Sequence, residues 1–203
     1  MIKQKSLPNN LKKTMKSLLL SSFAALCVFE NSYAQISITQ WDIAGVGTLI
    51  QQAYDTSHAN KPGMINPGPS GANATWNFSM LTADIVDTSL ITNPNWLPSG
   101  SNFPNSNLCA INYTDSSVTF FKNNSTGFFI DGFYADIGAG SFMPIPFNSD
   151  LQIVKFTDTY TNSFTDTAMI DFKFPYNQTP VDSVRVKQII NQTIVTDGWG
   201  SLT

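Results

Sequence analysis

Beyond residue 34 this sequence contains no glutamate, one histidine and one cysteine. Each scarcity removes a class of chemistry. With Cys109 alone, no internal disulfide can form, and its setting in the apolar run Leu108-Cys109-Ala110-Ile111 reads as a buried small hydrophobe. Zinc needs three or four converging His, Cys or carboxylate ligands, which one His and one Cys do not supply. The lone His58 closes the polar stretch Asp55-Thr56-Ser57-His58. No nucleophile elbow accompanies it, because Gly68-Pro69-Ser70-Gly71 lacks the G-x-S-x-G spacing, so it reads as a solvated loop histidine. The absence of Glu removes one of the two usual acids of glycoside hydrolysis and leaves only paired aspartates for that chemistry. No catalytic residue, metal ligand or cofactor is assigned.

Positive charge is scarce too. Five of the eleven Lys+Arg fall at Lys3, Lys5, Lys12, Lys13 and Lys16; residues 35–203 keep six against thirteen aspartates, a formal charge of −7. Nucleic acid binding needs a basic footprint to displace counterions, and none exists; an anionic membrane surface is a poor partner for the same reason. The apolar run Leu18 to Phe29 is interrupted by Ser21 and Ser22. It falls short of the roughly 20 residues that a membrane-spanning helix requires. With lysines before it and Ser32-Tyr33-Ala34 after it, residues 1–34 read as a cleavable secretory signal peptide, cut between Ala34 and Gln35. No twin arginine precedes the run, and Ala24-Ala25-Leu26 before Cys27 does not suit a lipoprotein signal. The expectation is an exported protein, secreted or at the cell surface, with no stable membrane insertion after cleavage.

What remains is rich in Thr, Ser, Asn, Asp, Val, Ile and Phe, a composition that favours pleated strands joined by polar turns. Apolar and polar residues alternate in Thr75-Trp76-Asn77-Phe78-Ser79, and Ile170, Phe172 and Phe174 alternate with Met169, Asp171 and Lys173. Val184, Val186, Ile190 and Ile194 share one parity. Further strands are expected over 36–41, 85–91, 108–113, 117–122, 127–134 and 153–158. Val46, Leu49, Ile50 and Ala53 have helical spacing, but Gly45 and Gly47 favour an extended segment there. Loops are expected over 61–71, from Asn93-Pro94 to Pro104, and at Met143-Pro144-Ile145-Pro146. The expected fold is all-β: an antiparallel, jelly-roll-like β-sandwich, with a closed barrel as the alternative. Residues 35–203 make a single domain. The ending Asp197-Gly198-Trp199-Gly200-Ser201-Leu202-Thr203 reads as a turn followed by a strand just beginning, the mark of a domain truncated at its C-terminal end.

Trp96 and Trp199 sit beside turns, where an indole face can stack on a sugar ring, and they are the candidate ligand-binding residues. Trp76, alternating with polar residues, is expected in the core. Asp131-Gly132 with Asp136, or Asp197-Gly198, could contribute to a calcium site, yet neither matches the D-x-[DN]-x-[DN]-G loop; turn formation is the simpler role. Many aspartates precede Thr or Ser, as in Asp55-Thr56, Asp87-Thr88, Asp115-Ser116 and Asp166-Thr167, a pattern that suits turns and strand edges.

Several phrases recur in one setting: Ile38-Thr39-Gln40-Trp41-Asp42, Tyr54-Asp55-Thr56, the turn Pro67-Gly68 to Gly71, Thr75-Trp76-Asn77-Phe78-Ser79, Asn102-Phe103-Pro104-Asn105, Val181-Asp182-Ser183-Val184 and Asp197-Gly198-Trp199-Gly200. Together they resemble the N-terminal module of secreted proteins from Bacteroidota, whose full-length members often end in a type IX secretion sorting domain. That largely uncharacterised family supplies no catalytic residues to carry over. The resemblance also implies O-glycosylation at Asp166-Thr167-Ala168 and Asp182-Ser183-Val184. The functional expectation is a non-enzymatic exported β module that binds or adheres, with polysaccharide or a surface protein as partner. A glycoside hydrolase using two aspartates is the alternative. An outer-membrane barrel is the third reading, disfavoured because such strands need roughly 9–11 residues.

Overall fold

The computed structural model describes residues 36–56, 68–79, 81–138, 140–178 and 181–202, and residues 36–203 belong to one compact unit. The proposed signal peptide, His58 and most of the 61–71 loop lie outside the described residues. Twelve strands are formed: β1 (Ser37–Ile38), β2 (Leu49–Tyr54), β3 (Gly71–Trp76), β4 (Ile85–Thr92), β5 (Leu108–Asn112), β6 (Val118–Asn124), β7 (Gly127–Asp136), β8 (Phe142–Lys155), β9 (Asp158–Thr159), β10 (Ser163–Gln178), β11 (Val181–Val195) and β12 (Gly198–Leu202).

Eight of them build one antiparallel sheet in the order β11-β10-β8-β7-β6-β5-β4-β2. Spatial order follows chain order, as in a meander: short connections join β5 to β6 and β6 to β7, whereas β3 intervenes between β2 and β4, residues 93–107 between β4 and β5, and β9 between β8 and β10. Two small sheets accompany it: β1 pairs antiparallel with β9, and β12 pairs parallel with β3. The fold is therefore all-β, consistent with a sandwich. Its main sheet is open, since the edge strands β11 and β2 are not paired with one another. Among the described residues no helix is long and apolar enough to cross a membrane.

Period-two alternation decides which side chains enter the core. Cys109 and Ile111 on β5 face Phe120 and Val118 on β6, in register as Cys109↔Phe120 and Ile111↔Val118. Two 3₁₀ turns, Pro94–Trp96 and Pro98–Asn102, occupy the expected loop and bring Phe103 over this layer. Its ring stacks on Phe120 with centroids 4.0 Å apart. Gly132, paired with Phe120, leaves room for that ring: a Cβ there would come within 2.5 Å of Phe103 Cε1. A second cluster, Ile145, Phe147, Ala168 and Ile170, joins β8 to β10. Along the β10–β11 hairpin, Phe172 lies opposite Val186 and Phe174 opposite Val184, as the alternation predicts.

Three segments differ from the local expectation. Residues 36–41 give only the two-residue β1 before a 3₁₀ turn at Gln40–Asp42, because Thr39 and Asp42 form a reciprocal cap that winds the chain. Met143 to Pro146 belongs to β8 rather than to a loop. Pro144 and Pro146 stand two apart, so their missing N–H groups fall on one edge of the strand, while pairing with β10 begins only at Phe147. The stretch 153–158 breaks after Lys155 and resumes as β9. Over residues 49–54 the extended reading holds, and Gly47, at φ +92°, supplies the turn that leads into β2.

Candidate functional site

The alternation that buries one face of β5 turns the other face into a floor. Leu108 and Ala110, between the buried Cys109 and the half-buried Ile111, point away from the core cluster. With Ile50 on β2, Ile91 on β4, Phe121 on β6 and Phe128 on β7 they line a cavity of about 430 Å³. Phe121 and Phe128 stack with centroids 4.9 Å apart and make its aromatic end. Its polar lining is Asp42, Gln52, Ser89, Asn112, Ser117 and Thr119. A concave, mainly apolar site with a small number of placed polar groups is the usual form of a ligand pocket.

Residues 40–45 form the wall. A second cavity of about 530 Å³ shares Ile43, Ala44 and Leu108 with the first and adds Gln40, Trp41, Asn107 and Asn123. The two cavities adjoin at these shared residues and together are the groove. Trp41 is the centre of its polar half, 84% exposed, the most exposed of the described large hydrophobics. Its presentation is local in origin. The Asp42 carboxylate accepts from the Thr39 N–H and hydroxyl, both at 2.8 Å, while Thr39 Oγ1 accepts from the Trp41 N–H at 3.4 Å. The indole is thus carried on a capped turn rather than on a free loop.

Two amides line the same cavity. Asn107 Oδ1 accepts from the Asn123 N–H at 2.8 Å and Nδ2 donates to the Asn123 carbonyl at 2.7 Å. Asn123 Nδ2 donates to the Gln40 carbonyl at 3.0 Å, but its Oδ1 is buried and has no partner among the described residues. A buried acceptor left unsatisfied costs about 1–3 kcal/mol.

The electrostatics argue against acid chemistry here. Asp42 is the sole carboxylate lining either cavity. Hydrogen bonds from the Thr39 N–H and then its hydroxyl hold its pKa below the ordinary value, so it is ionised and suits neither a general acid nor one half of a catalytic pair. Other aspartates are occupied structurally. Asp84 accepts from the Thr56 N–H at 2.9 Å, Asp87 from the Thr114 hydroxyl at 2.7 Å, Asp115 from the Ser117 N–H at 2.9 Å and Asp166 from the Gln152 N–H at 2.7 Å. Asp131 is buried and accepts from Ser106 Oγ at 2.7 Å, whereas Asp136 caps the Gly138 and Gly140 N–H groups. Among the described residues no three His, Cys, Asp or Glu side chains gather as a metal site. Cys109 is fully buried, and burial pushes its thiol up to about 11.

No protein-family model matches the chain, and neither a curated protein nor a solved structure matches it significantly. The site therefore has to be read from its own geometry.

The two tryptophans singled out from the sequence lie elsewhere. Trp96 ends the first 3₁₀ turn and is 70% exposed; Trp199 is half-buried in β12, opposite β3. Neither lines the groove. Trp76 is half-buried, with its indole N–H donating to the Pro69 carbonyl at 3.0 Å. Sequence reasoning passed over Trp41, although a signal existed: Thr39-Gln40-Trp41-Asp42 has the S/T-x-x-D/E form of a capping box, which sets its two middle residues on an exposed turn.

Proposed function

We propose that this chain is an exported, non-enzymatic β module that binds polysaccharide at the Trp41 groove. The observation that carries the reading is the exposed Trp41 indole, fixed on a capped turn beside the amides of Asn107 and Asn123. A sugar ring has an apolar face that stacks on an indole and an edge of hydroxyls that suits amides, and this groove offers both. Export is supported by the lysine-rich start and short apolar run of residues 1–34. The resemblance to N-terminal modules of secreted Bacteroidota proteins favours delivery to the cell surface or the medium, with type IX secretion as the route. Its implied O-glycosylation points include Thr167, which is exposed on β10.

The glycosidase alternative requires a second carboxylate facing Asp42, and the groove lining supplies one only. Equilibrium binding of soluble oligosaccharides to the purified module, followed by isothermal titration calorimetry, tests the proposal. Saturable binding that is lost in Trp41→Ala supports it. Flat responses across the whole panel would remove polysaccharide and leave a surface protein as the partner class.

A further inference from the structure

The groove is chemically unfinished at one atom. Asn123 Oδ1 is shut off from solvent and accepts from no group among the described residues, while Nδ2 of the same amide is engaged with the Gln40 carbonyl. Buried acceptors are nearly always paired. Reversing the amide would not cure the defect, since it would set an acceptor against the Gln40 carbonyl and strand the donor instead. Only a movement of the neighbouring chain or the arrival of a donor satisfies Oδ1.

The neighbouring chain is weakly tied. Among the described residues, the Asn123–Gln40 bond is the one hydrogen bond joining residues 40–44 to the main sheet; the other bonds of that segment run within the Thr39–Asp42 turn. Gly45 and Gly47 follow, and beyond them Gly47 N–H is anchored to the Ile91 carbonyl at 2.8 Å. Asn123 is held differently, with its backbone fixed by both arms of the Asn107 amide. A shift of residues 40–44 therefore opens Oδ1 to the groove without disturbing the strand that carries it.

Charge narrows the ligand further. Among the described residues no Lys or Arg lines either cavity, and Asp42 lines the first, adjoining the cavity of Trp41 and Asn123. A uronate or sulfate would find no cation there and a carboxylate in the adjoining cavity. A neutral sugar would not.

We infer that the groove selects neutral, hydroxyl-bearing glycans, and that Asn123 is the specificity-determining residue, its Oδ1 accepting a sugar hydroxyl when residues 40–44 shift. The inference rests on the polysaccharide reading above and deepens it. A site that hydrogen-bonds a hydroxyl with a buried acceptor discriminates strongly against ligands that cannot donate there.

The test compares wild type, Asn123→Leu and Asn123→Ala in calorimetric titrations with neutral gluco-, manno-, xylo- and chito-oligosaccharides and with oligogalacturonates. Asn123→Leu, which removes the acceptor, is expected to weaken neutral-glycan binding by about tenfold or more. Its melting temperature should stay near the wild-type value, because the unsatisfied acceptor goes with the amide. Asn123→Ala, which removes the same acceptor with a smaller side chain, is expected to weaken binding likewise and serves as the second probe should the leucine variant not fold. Oligogalacturonates are expected to bind wild type at least about tenfold more weakly than neutral chains. Binding of the wild type that is lost in Trp41→Ala but unchanged in both Asn123 variants would overturn this inference and leave the polysaccharide reading standing. Equal or tighter binding of oligogalacturonates would overturn the selectivity. Absence of any glycan binding by wild type would remove both.

Discussion

Asn107 grips the main chain of Asn123 with both arms of its amide, accepting at 2.8 Å and donating at 2.7 Å. The grip arises at the end of the β5–β6 ladder: Leu108 pairs with Phe121, and the side chain of Asn107, one residue before Leu108, reaches the main chain of Asn123, two residues beyond Phe121. One side chain thereby fixes the floor residue that faces the groove. Asn107→Ala is expected to lower stability by about 1–2 kcal/mol, from the loss of two neutral hydrogen bonds. It should weaken oligosaccharide binding as well. Urea denaturation beside titration calorimetry would show both effects, and an unchanged affinity would separate Asn107 from the site.

The Phe103–Phe120 stack holds the opposite face of the same strands, remote from the groove by the alternation of β5 and β6. Gly132→Ala would place a methyl 2.5 Å from Phe103 Cε1 and 2.7 Å from the Ile145 carbonyl. Overpacking of this kind costs about 1–3 kcal/mol. Phe103→Ala, which empties the layer, should cost about 3–5 kcal/mol. Denaturant midpoints measure both, and fully folded samples of either variant should bind ligand like wild type.

Cys109 gives a reporter of core integrity. Its pKa is raised to about 11 from 9.0 by burial alone. Because the folded value lies above the unfolded one, its contribution to stability is complete below pH 9.0 and is lost as pH rises towards about 11. A thiol reagent at pH 8 should therefore react slowly with the native protein and rapidly in urea. Fast reaction without denaturant would contradict the burial of Cys109.

At low pH the relevant pair is Asp171 with Arg185, joined by two bonds of 2.7 Å across the β10–β11 hairpin. The Arg185 hydrogen bonds hold the Asp171 pKa below 3.8. The folded value is depressed, so the pair stabilises the hairpin above that pH and is lost as pH falls through the lower folded value. Arg185→Gln should lower stability slightly in the neutral region and leave the acid end unchanged, so that the acid limb of the profile flattens, which thermal melts between pH 2 and 7 would record.

Much of this fold is visible in the chain itself. Period-two alternation marks the β10–β11 hairpin because one face of each strand is apolar and the other carries Asp171, Lys173, Arg185 and Lys187. Asp-Thr and Asp-Ser pairs announce turn and edge contacts that the hydrogen bonds of Asp55, Asp87 and Asp115 then display. β8 is less legible, since Pro144 and Pro146 read locally as breakers and only the one-sided pairing of that stretch makes them tolerable. The groove is the least legible part. Trp41, Asn107 and Asn123 stand far apart in sequence, and no spacing rule joins them. Trp96 and Trp199 stood out because they flank turns, whereas Trp41 is displayed by a three-residue turn inside what reads as a strand.

The most direct measurement is calorimetric titration of neutral oligosaccharides into wild type, Trp41→Ala, Trp96→Ala and Trp199→Ala. Since the Trp41 side chain is 84% exposed and supports no core contact, its removal should leave folding intact. Loss of an indole stacking platform is expected to reduce affinity by about tenfold or more, with the other two variants binding like wild type. Binding that survives in Trp41→Ala, or that disappears instead in Trp96→Ala or Trp199→Ala, would contradict the assignment of the groove.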